Sequence, residues 1–134
     1  MEETPASFVE VCIYEVKPDK TEQFEALLER VGRHHREFPG VLDVRYMKRT
    51  HRQGDFSAVR QGEPAIRLTR APKSVTYALY WELEDAAAHG KATQSGLDHF
   101  YKEFTRCLVA MPKIILGERL TFSPLLPAGE GAGG

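Results

Sequence analysis

Two helical stretches of this chain carry the same spacing of apolar residues, and this repeat constrains the fold more than any other feature. The offsets 0, 3, 4, 7, 11 and 14 from Phe24 give the first stripe, and the same offsets from Leu97 give the second. Such spacing places side chains on one face of a helix. Each stripe is followed by a proline, Pro39 or Pro112, and then by β-branched residues. The sequence therefore predicts two helix–strand units.

Four stretches have the β-branched and aromatic composition that is typical of strands. They cover residues 8–16, 41–49, 75–82 and 114–122. We predict the first helix from an N-cap at Asp19 to about Phe38. The second is predicted over about 97–111, because Gly90 and the Ser95-Gly96 pair are expected to interrupt the alanine-rich run before it. The element order is then β-α-β-β-α-β.

This order is that of an α+β ferredoxin-like sandwich, in which two helices cover one face of a four-stranded antiparallel sheet. The first and third strands carry apolar or aromatic residues on both alternating faces, for example Val11 and Ile13 against Cys12 and Tyr14. Strands of this kind are usually buried on both sides. The helices cover only one face, so we expect a homodimer in which the sheets of two chains pack face to face.

Composition and charge exclude several classes of protein. The chain has 134 residues, and 42% of them are hydrophobic, which suits one packed domain. Its 18 basic and 19 acidic residues leave no positive excess for binding nucleic acid. The sequence has no apolar run long enough to cross a membrane and no secretory signal, so we expect a cytoplasmic protein. Cys12 and Cys107 lie in apolar stretches and are expected to be buried thiols.

The connection between the second and third strands, residues 50–73, is long for a compact domain. Its five basic and two acidic residues give it a net charge of +3. We predict a small hairpin formed by 56–59 and 65–69. This insertion is either a lid, whose Arg67 and Arg70 bind a carboxylate or phosphate of a ligand, or a solvated arm that contacts the partner subunit or moves freely. The domain is expected to span 1–122, and the Pro/Gly/Ala-rich residues 123–134 are expected to form a flexible tail.

Several local sequences resemble the dimeric α+β barrel superfamily and, within it, the antibiotic biosynthesis monooxygenase domains. The resemblance covers about residues 8–122 in element order. It implies a dimer whose two sheets close into a barrel, with a pocket between helices and sheet in each subunit. Active relatives oxidise phenolic polycyclic compounds or quinols with oxygen and without metal or flavin, or degrade heme, and many relatives have no known activity. The heme-degrading members carry an asparagine in the first strand that this chain lacks. The sequences that carry the resemblance are Val16-Lys17-Pro18, Phe38-Pro39-Gly40-Val41, Tyr80-Trp81-Glu82 with the following Ala-Ala-His89, and Phe100-Tyr101-Lys102-Glu103-Phe104.

His89 is the candidate catalytic residue, because imidazole titrates closest to neutral pH. As a base in a dry pocket it would remove a phenolic or enolic proton, and the resulting carbanion could pass an electron to oxygen. Trp81 is a candidate wall for an aromatic substrate, and Tyr14 and Tyr46 are candidate binding groups. Each of these side chains can instead be a structural residue. The histidines have no metal-ligand spacing, so we expect neither a metal nor another cofactor.

The sequence therefore predicts a cofactor-independent monooxygenase that acts on a small aromatic, phenolic or quinone-like molecule. The alternative is a non-catalytic small-molecule-binding or stress-related dimer on the same scaffold, because a fold does not determine its chemistry. An isomerase or decarboxylase that uses one acid–base residue also remains open.

Overall fold

The chain follows the predicted order of strands and helices, with one short helix added in the insertion. The computed structural model describes residues 6–54 and 56–121. The strands are β1 (Phe8–Val16), β2 (Val41–Lys48), β3 (Val75–Leu83) and β4 (Lys113–Glu118), and the helices are α1 (Thr21–Arg36), α2 (Phe56–Arg60) and α3 (Ala86–Cys107). The predicted α+β class is confirmed.

The four strands form one antiparallel sheet in the order β2-β3-β1-β4. The central strand β1 pairs with β3 over its whole length, from Phe8 opposite Leu83 to Val16 opposite Val75. On its other side β1 pairs with β4. This is the predicted ferredoxin-like topology, and it leaves β2 and β4 as edge strands.

Both long helices cover the same face of the sheet. Tyr14 of β1 contacts Phe24 of α1, with ring centroids 5.4 Å apart, and Phe104 of α3, at 5.7 Å. Alternate residues of the central strands form the core on this side, among them Val16 and Leu83, which are fully buried. The opposite face of the sheet carries the other alternate residues and is not covered by any described helix.

The start of α1 differs from the prediction. Asp19 is not its N-cap, because residues Pro18–Lys20 form a short 3-10 turn and the helix begins only at Thr21. A proline fixes its own backbone angle and suits the first position of such a turn. The turn is closed by the Lys20 N–H, which donates to the Lys17 carbonyl at 2.9 Å. The helix ends at Arg36, two residues before the predicted end at Phe38.

The second long helix is not broken, so the prediction that it starts near Leu97 is wrong. It runs without interruption over the 22 residues of α3, and Asp85 caps it by accepting a hydrogen bond from the Ala88 N–H at 2.8 Å. A glycine inside a helix costs only about 1 kcal/mol, which packing readily offsets. The buried stripe of α3 also differs from the predicted one and consists of Ala92, Gly96, Phe100 and Cys107.

The end of α3 and the extent of β4 differ from the prediction as well. α3 ends at Cys107 rather than Met111, because the next residues pair with the end of β1. Leu108 forms a bridge with Val16, and the Val109 N–H donates to the Glu15 carbonyl at 2.8 Å. β4 ends at Glu118, four residues short of the predicted limit. The tail predicted at 123–134 lies outside the described residues.

The insertion contains no hairpin of the predicted kind. Residues 56–59 belong to the helix α2, and this helix is followed by Gly62, whose positive φ of 96° suits a chain reversal. The pairing occurs instead between residues 50–52 and 66–68. The Arg52 N–H donates to the Ile66 carbonyl at 2.7 Å, and the Leu68 N–H donates to the Thr50 carbonyl at 2.9 Å.

Both cysteines lie in the packed interior. The thiols of Cys12 and Cys107 are both free and buried, as predicted. Among residues 6–54 and 56–121, no helix is both long enough and apolar enough to span a membrane.

The two glycines of α3 provide a matched test of this helix. A Cβ at Gly90 would meet nothing within 4 Å, whereas a Cβ at Gly96 would lie 2.8 Å from Nε2 of His35. We expect Gly90→Ala to raise the free energy of unfolding by about 0.5–1 kcal/mol, through helix propensity. We expect Gly96→Ala to lower it by roughly 1–3 kcal/mol, through overpacking. Urea unfolding measures both, and equal effects of the two variants would contradict the close helix contact.

Candidate functional site

A cavity of about 450 Å³ lies between α3 and the helix-covered face of the sheet. Its inner wall is formed by side chains of β1 and β3, among them Cys12, Leu79 and Trp81. Two of its other lining residues, Tyr101 at 58% and Met111 at 87%, are largely exposed. These residues therefore mark its mouth, at the C-terminal end of α3. The volume and the mostly apolar lining are typical of small-molecule sites.

An imidazole–indole stack forms one wall of the cavity. The rings of His35 from α1 and Trp81 from β3 are nearly parallel, with centroids 4.1 Å apart and planes inclined by 15°. Gly96 of α3 leaves the space that the edge of the imidazole occupies. Burial, together with the neighbouring His34 and His89, lowers the pKa of His35 to about 4. At neutral pH His35 is therefore a neutral imidazole, with one donor and one acceptor nitrogen.

Four buried polar atoms on the cavity walls have no hydrogen-bond partner among the residues that the structure describes. They are Nδ1 and Nε2 of His35, the hydroxyl of Tyr46 and the indole nitrogen of Trp81, and all three residues line the cavity. A buried polar group without a partner costs about 1–3 kcal/mol. Such groups are expected to meet a ligand or water, so this arrangement is suited to binding a molecule that carries both donors and acceptors.

A carboxylate and an imidazole form a hydrogen bond at the inner end of the cavity. Nε2 of His89 lies 2.6 Å from Oε1 of Glu10, and the two side chains are only 12% and 9% exposed. Glu10 lines the cavity, whereas His89 lies behind it, in the first turn of α3. The rings of Phe8 and Trp81 flank the imidazole at 4.9 and 5.2 Å. An ionised Glu10 accepts hydrogen bonds only, so His89 is the donor of the pair.

The phenol and thiol groups of the cavity are not activated. Burial raises the pKa of Tyr14 well above its usual value, and it also raises the pKa of Tyr46. Both hydroxyls therefore remain protonated and can donate hydrogen bonds. Burial raises the pKa of Cys12 to about 11. Because the thiolate is the nucleophilic form, this cysteine is a packing residue at neutral pH.

The structure brings together some of the residues singled out from the sequence and separates others. Trp81, Tyr14 and Tyr46 all line the cavity, and His89 reaches it through Glu10. Arg67 and Arg70 line a different pocket, and none of the described residues of 50–73 lines the cavity. The insertion therefore does not cover the cavity in this structure.

Sequence reasoning did not single out Glu10, and it placed His35, at offset 11 from Phe24, only on the apolar stripe of the first helix. Glu10 lies on the same face of β1 as Cys12 and Tyr14. A carboxylate on this otherwise apolar face was the signal available in the sequence. Its partner is 79 positions away in the sequence and is found only through the fold. His35 is 6% exposed, and its position on the apolar stripe was the signal for its burial. Among the described residues, no three His, Cys, Asp or Glu side chains are placed to hold a metal ion.

The sequence matches no family model and no curated protein. Solved structures, however, share the fold. A protein from Pseudomonas aeruginosa is 15% identical with a TM-score of 0.63, covering 90% of this chain and 100% of that one. A proposed antibiotic biosynthesis monooxygenase from Bordetella bronchiseptica is 17% identical with a TM-score of 0.60, covering 87% and 100%. SnoaB, a cofactor-independent oxygenase from Streptomyces nogalater, is 15% identical with a TM-score of 0.57, covering 90% and 99%.

At these identities the comparisons establish the fold. The chain has the fold of antibiotic biosynthesis monooxygenase-like domains, as the resemblance of its local sequences predicted.

The buried imidazole makes stability depend on pH in a defined direction. The pKa of His35 is about 4 in the folded chain and near 6.5 when unfolded, so its contribution is fully present above pH 6.5 and is lost as the pH falls towards 4. We expect the free energy of unfolding to fall by roughly 2 kcal/mol between pH 7.5 and pH 5 from this group alone. In His35→Phe this part of the pH dependence should disappear. Urea unfolding at both pH values measures it, and identical pH profiles for the two proteins would contradict the assignment.

Proposed function

We propose that this chain is a cofactor-independent monooxygenase that acts on a small aromatic, phenolic or quinone-like molecule. The observation that carries the proposal is the pair of Glu10 and His89 at the wall of an apolar cavity. The pair supplies a proton acceptor at the wall of a pocket whose other side chains are mostly apolar or aromatic. Likeness of fold to SnoaB and to the Bordetella protein supports the same class of chemistry.

The cavity walls fit a flat aromatic ligand with oxygen substituents. Apolar and aromatic side chains bury the ring system, and the unpartnered Tyr46 hydroxyl and Trp81 N–H are donors for a carbonyl or phenolate oxygen. The neutral His35 can accept a hydrogen bond from a ligand hydroxyl. A ligand bound in this way would form hydrogen bonds with the polar atoms of His35, Tyr46 and Trp81, which have no partner among the described residues.

Glu10 is the group of the pair that faces the cavity, so we assign to it the first proton transfer. Its carboxylate takes a proton from a CH₂ group activated by neighbouring phenol or carbonyl groups. His89 donates a hydrogen bond to this carboxylate and holds it in place, so its part is that of a positioning residue. The resulting carbanion passes electrons to oxygen. In the overall reaction CH₂ and O₂ become C=O and H₂O, and the substrate is the only reductant.

A non-catalytic binding protein is the alternative, and the unpartnered polar atoms favour it. His35, Tyr46 and Trp81 can recognise a ligand without any proton transfer. In that case the hydrogen bond between Glu10 and His89 would be structural, since a buried carboxylate needs a partner in any event.

Glu10→Gln separates the two functions, because glutamine keeps the shape and loses the base. We expect the wild-type chain, without added metal or flavin, to consume oxygen with an anthrone as substrate, because an anthrone carries the activated CH₂ group. Glu10→Gln should lower kcat by about 10²–10⁴-fold, and the Kd for the product quinone should change little. His89→Gln should lower kcat less.

Glu22→Gln, in the exposed first turn of α1, is the matched control and should retain full activity. Quinone binding with no oxygen consumption by the wild-type chain would favour the binding protein. A lack of binding to any of these aromatic compounds would overturn both functions.

We also propose that two chains pack through the uncovered face of the sheet. Val11 of β1 is at the centre of that face, opposite Tyr80 of β3 and Ile115 of β4. Ile115 is 66% exposed, and Met47 of β2 on the same face is 62% exposed. Exposed apolar side chains at the centre of a sheet face are an unusual surface for a monomer and are covered in most proteins.

Substitution at the centre of this face tests the dimer. We expect the wild-type chain to show twice its mass of 15.1 kDa by light scattering at micromolar concentration. Val11→Lys and Ile115→Lys should shift it to the monomer, because an unpaired charge would be buried in the interface. Val109 lies outside the sheet and is 55% exposed, so it provides the control. Val109→Lys should leave the dimer intact. A wild-type monomer would exclude this assembly.

A further inference from the structure

A second pocket lies where the insertion joins the ends of β2 and β3. Its volume is about 220 Å³, and it shares no lining residue with the large cavity. Three arginines line it: Arg49, which follows β2, and Arg67 and Arg70 from the insertion. The pocket therefore concentrates positive charge in a chain whose net charge is −1.

Backbone hydrogen bonds fix the segments that carry these arginines. The Arg49 N–H donates to the Thr76 carbonyl at 2.9 Å, which extends the pairing of β2 with β3 by one residue. Arg67 is bridged to His51, and the neighbouring Leu68 N–H donates to the Thr50 carbonyl. Arg49 and Arg67 thus start from paired backbone segments, and Arg70 lies three residues after Arg67.

The arginines have no counter-charge within the described residues. Arg49, Arg67 and Arg70 form no ion pair and no side-chain hydrogen bond there, and no carboxylate lines the pocket.

The other polar groups around the pocket are already engaged. Lys48 is paired with Glu25 at 2.8 Å. The hydroxyls of Ser74 and Thr76 donate to Glu15 at 2.7 and 2.9 Å. Three guanidinium groups therefore line one pocket without an ion-pair partner among the described residues, and an anion bound between them would offset their mutual repulsion.

We infer that this pocket is a binding site for the phosphate group of a small phosphorylated molecule or for free phosphate. Guanidinium groups present planar pairs of donors that match the oxygens of a phosphate, and charge-assisted hydrogen bonds of this kind are among the strongest in proteins. The pocket is concave and lined in part by Leu68, Pro72 and Val75, so it excludes water around the anion better than a flat basic patch. The site does not depend on the proposed oxygenase activity.

Titration calorimetry at 50 mM and 150 mM chloride tests the site, with inorganic phosphate, pyrophosphate and glucose 6-phosphate as probes. We expect Arg67→Gln combined with Arg70→Gln to weaken binding of the best probe by at least about tenfold. The matched control is Arg60→Gln, which removes the same charge from α2 of the same insertion, outside the pocket. It should change Kd by less than about twofold, because a distant exposed charge is screened by salt.

The probes distinguish the two sources of the anion. Tightest binding of glucose 6-phosphate supports a phosphorylated metabolite, and equal binding of inorganic phosphate supports the free ion. An equal loss in Arg60→Gln, an absence of binding, or binding only to an RNA oligonucleotide overturns the proposal. If the double variant does not fold, the single variants Arg70→Gln and Arg67→Lys replace it. Arg67→Lys should weaken binding, because lysine keeps the charge but loses the paired donors of the guanidinium group.

Discussion

The contact of His35 with Trp81 and Gly96 determines how the two long helices lie on the sheet. The imidazole from α1 stacks on the indole from β3, and α3 approaches it where Gly96 has no side chain. Three elements therefore meet at one buried ring. Because His35 is neutral at this position, it fills the space without placing a charge in the core. The cavity is the space that remains along α3 beside this contact.

The polar groups of the cavity fall into two sets with different chemistry. The first consists of the neutral groups of His35, Tyr46 and Trp81, whose donors and acceptors have no partner within 6–54 and 56–121. The second is the hydrogen-bonded pair of Glu10 and His89, which are almost completely buried. Binding requires only the first set, whereas proton transfer requires the second. A site that carries both is suited to an enzyme, and loss of the second alone would leave a binding protein.

Most of the fold followed from residue patterns, because β-branched strands and apolar stripes are local features. β1 has the predicted limits of 8–16, and the sheet has the predicted topology. The predicted start of α3 was wrong because a glycine in the sequence usually indicates the end of a helix. The contact with His35 explains why a glycine is present at position 96. The site was less predictable. The hydrogen-bond partner of Glu10 is 79 positions away in the sequence. Arg67 lies at its pocket because residues 50–52 pair with 66–68, which no local pattern indicated.

The unbroken α3 has a mechanical consequence for the cavity. The helix has 22 residues and is about 33 Å long, so it spans the whole cavity from His89 to the mouth. A shift of the intact helix about its closest contact, at Gly96, would therefore displace the end that carries His89 and the end that bears Tyr101 in opposite directions.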